Sequence, residues 1–304
     1  MNVSFYTLDV FTDRAFAGNP LAVITEADGV PEARLAQIAR EFNLSETVFV
    51  YPPADAAHTA RVRIFTPAQE LPFAGHPTVG TAVLLATLRG LDDSTGETLI
   101  TLEEGVGLVP VRVRRGERAT FAQLSVVKLP ELIAAGPSRG ELARALGIAE
   151  QDVAQVRPGP AVYSCGVPFL YVELVDRRAV AACRLDGSAW EQLVKLHRLP
   201  EEVFVFAADP ELPDSDFRAR MFAPGIAVPE DPATGSAVAS LAGQLHARSR
   251  LYDGTHAWRV EQGFEMGRPS ILDLECDVKG GEIAAVRVGG NAVIVSRGEL
   301  LLPD

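Results

Sequence analysis

Hydrophobic and polar residues alternate along much of this chain, and two long apolar stretches interrupt the alternation. A period of two is typical of strands with one buried face, whereas apolar positions three and four apart indicate helices. The pattern predicts strands at residues 3–11, 21–25, 47–51, 60–65, 98–102, 107–114, 162–174, 203–207, 217–222, 283–288 and 292–295. It predicts helices at residues 31–42, 77–88, 138–146 and 236–247. The second and fourth helices are mostly apolar, so each half of the chain is expected to wrap strands around one buried helix, an α+β architecture.

One set of motifs occurs twice in the same order, which indicates a duplicated structural unit. The first copy contains Gly18-x-Pro20-Leu21, Glu46-Thr-Val48-Phe49-Val50-Tyr51, Arg63-x-Phe65-x-Pro67 with Pro72, and Gly75-His76. The second contains Gly166-x-Pro168-Phe169, Glu201-Glu-Val203-Phe204-Val205-Phe206, Arg220-x-Phe222-x-Pro224 with Pro229, and Gly235-Ser236. The copies lie 148, 155, 157 and 160 residues apart at successive motifs, which suggests loops that lengthened slightly in the second copy.

The repeat divides the 304 residues into two domains of ordinary size. We expect an N-terminal domain over residues 1–125 and a C-terminal domain over residues 126–290, with residues 130–137 as the linker. A duplicated unit favours a binding cleft where its copies face each other.

Composition and charge exclude several classes of protein. A net charge of −12 disfavours nucleic-acid binding, because phosphate backbones repel an acidic chain. No apolar run is long enough to span a bilayer, and the N-terminus has no signal-peptide pattern, so a cytoplasmic protein is expected. Three scattered cysteines and five scattered histidines form no metal-ligand spacing, so no metal is expected.

The two glycine motifs each open a predicted buried helix. Backbone N–H groups at Gly75 and His76 would lie at a helix N-terminus, where they can bind an anion. Asp231, Gly235 and Ser236 take the equivalent place in the second half. The first motif alone is equally a plain strand-to-helix turn, and the second alone favours a capping segment. Together they suit a small substrate that carries a carboxylate.

Four further side chains are candidates for chemistry or binding. Glu46 precedes a strand, and burial beside apolar neighbours would raise its pKa toward the range of a general base, although an exposed loop position is the commoner fate of a glutamate. Glu201 is its counterpart by motif alignment, but the adjacent Glu202 suggests a solvated strand entry. Asn19 either contacts a substrate or holds a tight turn. Arg268 either pairs with a carboxylate or is structural.

These motifs resemble those of the PhzF family, the phenazine-biosynthesis isomerase-like proteins with the diaminopimelate epimerase fold. The resemblance covers almost the whole chain. It is carried by Asp9-Val-Phe11, Gly18-Asn19-Pro20-Leu21-Ala-Val23, Asn43-Leu44-Ser45-Glu46-Thr47, Pro72-Phe73-Ala74-Gly75-His76-Pro77-Thr78, Asp231-Pro232-Ala233-Thr234-Gly235-Ser236-Ala237 and the segment 262–270.

The resemblance implies a cofactor-free enzyme of two pseudo-symmetric domains, each a sheet or barrel around a central helix, which forms a homodimer. It also implies that the tail, about residues 291–304, returns to the first domain. Glu46, His76 and Asp231 fall on the family's catalytic positions. Asn19, Ser45, Gly75, Gly235 and Ser236 fall on substrate-binding positions. Gly75 and Gly235 replace the two catalytic cysteines of related epimerases, and glycine has no base.

Three hypotheses follow. The first is an isomerase in which Glu46 moves a proton, and with it a double bond, within one small substrate. The second is a racemase that uses carboxylates, with Glu201 or Asp231 opposing Glu46. The third is a small-molecule binding protein that kept the scaffold and lost turnover.

Overall fold

The chain forms two compact units, residues 1–125 with 289–304 and residues 126–288. The computed structural model describes residues 2–91, 96–224 and 228–302, so residues 303–304 of the predicted returning tail lie outside it. The strands are β1 (Asn2–Val10), β2 (Asn19–Ile24), β3 (Glu46–Tyr51), β4 (Ala60–Phe65), β5 (Glu70–Leu71), β6 (Glu97–Glu104), β7 (Gly107–Arg115), β8 (Thr120–Ser125), β9 (Glu131–Ala135), β10 (Ala161–Ser164), β11 (Pro168–Glu173), β12 (Val203–Ala207), β13 (Phe217–Ala223), β14 (Val228–Asp231), β15 (Gly254–Gln262), β16 (Ser270–Lys279) and β17 (Glu282–Leu301). The helices are α1 (Glu32–Phe42), α2 (Gly75–Leu88), α3 (Arg139–Leu146), α4 (Arg177–Ala182), α5 (Gly187–His197) and α6 (Gly235–Ser249), with short 3-10 turns at Ala27–Gly29 and Glu150–Asp152.

Unit 1 is a closed barrel around α2. Its strands pair in the cyclic order β1, β2, β3, β4, β6, β7, β8, β17 and back to β1. The pairs β2–β3 and β4–β6 are parallel. Helix α2 is buried from His76 to Ala86 because its sequence is apolar on all sides, so it forms the centre of the barrel.

Unit 2 repeats this arrangement. Its strands pair in the order β9, β10, β11, β12, β13, β15 and β16, with β11–β12 and β13–β15 parallel, at the places that β2–β3 and β4–β6 take in unit 1. Helix α6 packs against β9, β10, β11 and β16 and is buried along most of its length. Helices α3, α4 and α5 pack on the strands from outside, with Trp190 in their shared core.

The structure corrects three sequence predictions in unit 2. The predicted linker at 130–137 contains strand β9, which pairs with β10. The strand predicted over 162–174 is a hairpin, because Gly166 takes a φ of +131° and turns the chain between β10 and β11. Helices α4 and α5 were not predicted; Asp176 and Asp186 cap their N-termini through side-chain oxygens.

The strand register also corrects two alignments within the repeat. Thr47 pairs with Phe65 in unit 1, and Val203 pairs with Phe222 in unit 2, so the counterpart of Glu46 is Glu202 rather than Glu201. Similarly, Ile64 pairs with Leu71 while Met221 pairs with Asp231, which makes Pro232 the counterpart of Pro72, in place of Pro229. Motif matching missed both shifts because each true counterpart lies near a residue of the same type.

Candidate active site

The N-terminus of α2 carries the first group of candidate residues. The helix begins at Gly75, and the preceding Ala74 has an extended backbone and no side chain that could cap the helix. The N–H groups of a first turn have no partner within the helix, so an uncapped N-terminus offers donors and a positive dipole to an anion. The side chain of Thr78 turns back instead, and its hydroxyl lies within hydrogen-bond distance of the Ala74 carbonyl and of Glu104.

His76 is buried in the wall beside this helix start, with 6% of its side chain exposed. Its Nε2 lies 3.5 Å from Oε2 of Glu46. The Pro20 carbonyl accepts a hydrogen bond from the ring, and because Nε2 makes no hydrogen bond, the donor is Nδ1. Burial lowers the pKa of His76 to about 3, so the imidazole is neutral at pH 7 and Nε2 presents a lone pair to Glu46.

Glu46 reaches this position through the end of α1. Asn43 takes a left-handed conformation (φ 51°) that ends the helix, and three residues later Glu46 opens β3. There it pairs in parallel register with Leu21 on β2, next to Pro20. Its side chain is 16% exposed, so the carboxylate is largely desolvated and still accessible. Ser45, half-buried, precedes it in the connecting turn.

Gly18 fixes the turn that carries Asn19 and Pro20. Its φ is +65°, and a Cβ at this position would lie 2.3 Å from the Val10 carbonyl oxygen, so no other residue fits without a shift. Asn19 follows with no exposed surface, paired with Val10 at the start of β2. The turn therefore places the Pro20 carbonyl that orients His76.

A second carboxyl group lies at the start of α2. Glu104 ends β6, is 9% exposed, and accepts a hydrogen bond of 2.7 Å from the Thr78 hydroxyl through Oε1. Its Oε2 is buried and has no hydrogen-bond partner. Burial raises the pKa of this carboxyl to about 8, so the acid is mostly protonated at pH 7.

In unit 2 the start of α6 is held by a hydrogen-bonded network. The Thr234 hydroxyl donates to Oδ2 of Asp231 at 2.6 Å. The amide of Gln262 donates to the Asp231 carbonyl at 2.7 Å, and its oxygen accepts from the Thr234 N–H at 3.1 Å. Gly235 begins the helix and is buried, while Ser236 follows, half-buried.

The structure thus brings together Glu46 and His76 in unit 1, with the Asn19 turn beside them, and Asp231 with the start of α6 in unit 2. Glu201, proposed as a second carboxylate, is exposed at the surface. Glu104 and Gln262, which lie beside these helix starts, were not among the residues that the sequence singled out. They occupy equivalent positions of the repeat, because each precedes a glycine that packs against a proline: Gly105 packs on Pro72, and Gly263 packs on Pro232. The residue before each of these glycines could have been identified from the sequence by this repeated glycine and proline.

No group of three or more metal-ligating side chains occurs within residues 2–91, 96–224 and 228–302. In the same ranges no helix is both long and apolar enough to cross a bilayer.

Unit 1 is a barrel around a central helix, with a carboxylate and a buried histidine at the helix start. These features are those expected of the epimerase-like fold, and comparisons with known proteins agree. The family model described as phenazine biosynthesis-like protein, PhzC-PhzF, matches residues 8–298. The chain therefore belongs to the PhzC-PhzF family, as its motifs predicted.

Three similar proteins illustrate the relationship. An uncharacterized isomerase from Mesorhizobium japonicum is 41% identical over 98% of this chain and 99% of its own. The trans-2,3-dihydro-3-hydroxyanthranilate isomerase of Pseudomonas fluorescens is 33% identical over 98% of this chain and 99% of its own. A PhzF-family phenazine biosynthesis protein from Bacillus anthracis has a TM-score of 0.88 at 23% identity, covering 99% of this chain and all of that one.

The fold also extends to racemases. A probable proline racemase from Agrobacterium radiobacter has a TM-score of 0.68 at 13% identity, covering 99% of this chain and 93% of that one. The predicted fold class, α+β with two epimerase-like domains, is confirmed.

Proposed function

We propose that this protein is an isomerase that moves a proton within a small carboxylate-bearing substrate, with Glu46 as general base and acid. The observation that carries the proposal is the pair of Glu46 and His76. The carboxylate is partly buried yet accessible, and the histidine beside it is held in one neutral tautomer.

The pair suits a proton that leaves one carbon and returns to another. When Glu46 takes a proton from a substrate carbon, its O–H can donate to the Nε2 lone pair of His76. The imidazole, with a pKa of about 3, does not take up that proton at neutral pH. The proton therefore stays on Glu46, from which it can be delivered to a second carbon of the same substrate.

A racemase that uses two opposed bases has less support. Gly75 and Gly235 supply no base at the two helix starts. Burial raises the pKa of the thiols of Cys165 and Cys276 to about 11 and that of Cys183 to about 12, so none is a thiolate at pH 7. A non-catalytic binding protein would not need a buried histidine in a fixed tautomer beside its carboxylate.

The substrate class follows from the helix start and from a relative. The uncapped N-terminus of α2 favours a carboxylate, and the Pseudomonas fluorescens relative acts, by its name, on a hydroxyanthranilate. We propose a small carboxylate of this type as substrate, with Asn19, Ser45 and Gly75 as binding residues. Catalytic assistance from Asp231 and binding by Gly235 and Ser236 stay predictions.

The reaction needs one tunable base, so we propose that it proceeds without a cofactor. Dialysis against EDTA should leave turnover unchanged. We further propose a homodimer, which sedimentation equilibrium would test.

The central test compares Glu46→Gln with Glu46→Asp on trans-2,3-dihydro-3-hydroxyanthranilate. Loss of the base should lower kcat about 10²–10⁴-fold in the Gln variant, with partial activity in the Asp variant, since the carboxylate is shorter but present. Turnover in D₂O should give a product that keeps at least part of the transferred hydrogen as protium, because the proton stays on Glu46 between the two carbons. Near-wild-type kcat for Glu46→Gln would sink the assignment of the base. If the wild type does not turn over this compound, the same exchange experiment with related cyclic carboxylates tests the class of substrate.

A second readout does not depend on the substrate. ¹⁵N NMR of the His76 ring should show a neutral imidazole with its proton on Nδ1 from pH 5 to pH 8. Titration of the ring near its ordinary value of 6.5 would contradict the tautomer assignment.

A further inference from the structure

A pocket in the wall of unit 1 has neither Glu46 nor His76 in its lining. It has a volume of about 490 Å³ and is lined by the ends of β4, β5 and β6. That volume is within the range of small-molecule sites, about 300–1,000 Å³. Arg61 and Arg63 come from β4, Glu70 from β5, and Glu103 and Glu104 from β6.

Unit 2 contains the equivalent strand ends, and there side chains of unit 2 itself occupy the space that corresponds to the pocket. In the strand register, Arg61 lies opposite Glu103 across the parallel strands of unit 1, and Arg218 lies opposite Glu261 in unit 2. Glu103 accepts hydrogen bonds from the N–H groups of residues 54 and 55, and Glu261 accepts them from residues 211 and 212, at the corresponding positions of the repeat. The two environments are therefore structurally equivalent.

The units differ in the loop that follows. In unit 1, Glu104 pairs with Gly107, so β6 and β7 are joined by a turn of two residues. In unit 2, Gln262 pairs with Ser270, which leaves a loop of seven residues between the strands. That loop places the ring of Phe264 under the Arg218 guanidinium, at 3.9 Å, and the carboxylate of Glu265 on its Nη2, at 2.8 Å.

Unit 1 has no such loop, and its arginine is available. Arg61 is exposed, lies over the Tyr51 ring at 4.8 Å, and has no carboxylate within ion-pair distance in the part of the chain that the structure describes. The buried Oε2 of Glu104, which lines the same pocket, has no hydrogen-bond partner.

The acidic residues of the pocket do not oppose an anion strongly. Both oxygens of Glu70 accept from Arg63. Glu103 accepts from two backbone N–H groups and pairs with His58. Glu104 is mostly protonated at pH 7, because burial raises its pKa to about 8. Arg61 is therefore the cation of the pocket that has no carboxylate partner among the described residues.

We propose that this pocket binds a small aromatic carboxylate, whose ring takes the place that Phe264 has in unit 2 and whose carboxylate pairs with Arg61 as Glu265 pairs with Arg218. This site is independent of the proposed function, since it uses neither Glu46 nor His76.

The test is an NMR titration of ¹⁵N-labelled protein with acetyl-Phe-Glu-amide, the dipeptide of the unit 2 loop. The amides of Arg61, Leu71 and Gly105 should shift with saturable binding. Arg61→Gln should weaken binding about tenfold, as loss of a charge-assisted pair does, and Arg61→Lys should weaken it less. Arg112→Gln, an exposed control on β7, should leave it unchanged. Acetyl-Phe-Gln-amide should bind about as weakly to wild type as the original probe binds to Arg61→Gln.

Three outcomes would overturn the proposal. They are the absence of saturable shifts at millimolar probe, equal affinity for wild type and Arg61→Gln, and shifts confined to the amides of Glu46 and His76. The last outcome would place the probe at the candidate active site instead.

Discussion

Replacing Glu104 by Gln should stabilise the folded protein, and more so as the pH rises. The carboxyl has a pKa of about 8 in the folded state, against 4.5 ordinarily, because burial disfavours its charged form. An acid whose pKa is raised by folding weakens the folded state at every pH above its unfolded value. Each pH unit between the two pKa values corresponds to about 1.4 kcal/mol. The raised pKa of Glu104 therefore lowers the free energy of unfolding by about 3 kcal/mol at pH 7 and about 5 kcal/mol at pH 9, and by almost nothing at pH 4.

Glutamine is the natural replacement because unit 2 already has it. Gln262, at the equivalent position, makes three hydrogen bonds to the start of α6. In Glu104→Gln, the side-chain oxygen can still accept from Thr78, and no charge forms at any pH. The stability difference between variant and wild type should therefore follow the ionisation of Glu104 alone.

The assay is urea unfolding at pH 3, 4, 7 and 9, followed by circular dichroism. Circular dichroism is needed because both tryptophans, Trp190 and Trp258, belong to unit 2 and would not report on unit 1. Glu103→Gln is the matched control with the opposite trend. Hydrogen bonds from Ala54, His58 and Asp55 lower the pKa of Glu103 to about 2. The ionised Glu103 therefore stabilises the folded protein above pH 4.5, and this stabilisation is lost as the pH falls toward 2. A stability gain for Glu104→Gln that changes by less than about 0.5 kcal/mol between pH 4 and pH 9 would refute the reasoning.

Three further predictions have defined outcomes. His76→Asn should lower kcat, whereas Ser236→Ala should mainly raise KM, in steady-state kinetics on the substrate of the Glu46 test; an equal loss of kcat in both would contradict the division of roles. Gly18→Ala should destabilise by about 1–3 kcal/mol in urea unfolding, because it forces a side chain into a left-handed conformation. Arg220→Ala should lower the free energy of unfolding by about 3–5 kcal/mol in urea unfolding, and Arg63→Ala should lower it by less. The reason is that Arg220 is buried with its carboxylate partner, while the ion pairs of Arg63 are more exposed.

The sequence predicted the central helices and most strands because their patterns are strong. The predicted helices 77–88 and 236–247 lie within α2 and α6, whose apolar composition leaves few alternatives. Strand β9 was taken for a linker for a physical reason. All five of its residues are exposed, so it shows no alternation, and prolines flank it at 130 and 137.

The site was predicted residue by residue, but its contacts were not. The motifs nominated Glu46 and His76 separately, whereas their proximity depends on the β2–β3 register and on the Pro20 carbonyl, which no local pattern encodes. Glu104 was missed because a glutamate at the end of a strand is usually exposed. The sequence alignment placed the counterpart of Glu46 at Glu201 instead of Glu202, because the two glutamates are adjacent and only the pairing of β12 with β13 distinguishes them.

The two helix starts differ in a way that favours chemistry in unit 1. In unit 2, the groups around Thr234 satisfy one another, since Gln262 both donates and accepts and the hydroxyl of Thr234 donates to Asp231. A satisfied network of this kind fixes a loop in one conformation. Beside the start of α2, by contrast, Nε2 of His76 and Oε2 of Glu104 are buried and make no hydrogen bond. Buried polar groups without partners are uncommon in folded proteins and concentrate where a ligand or a proton completes them. The duplication thus supplied two similar scaffolds that differ at the helix start: α2 begins beside buried polar atoms without hydrogen bonds, and α6 begins within a closed hydrogen-bond network.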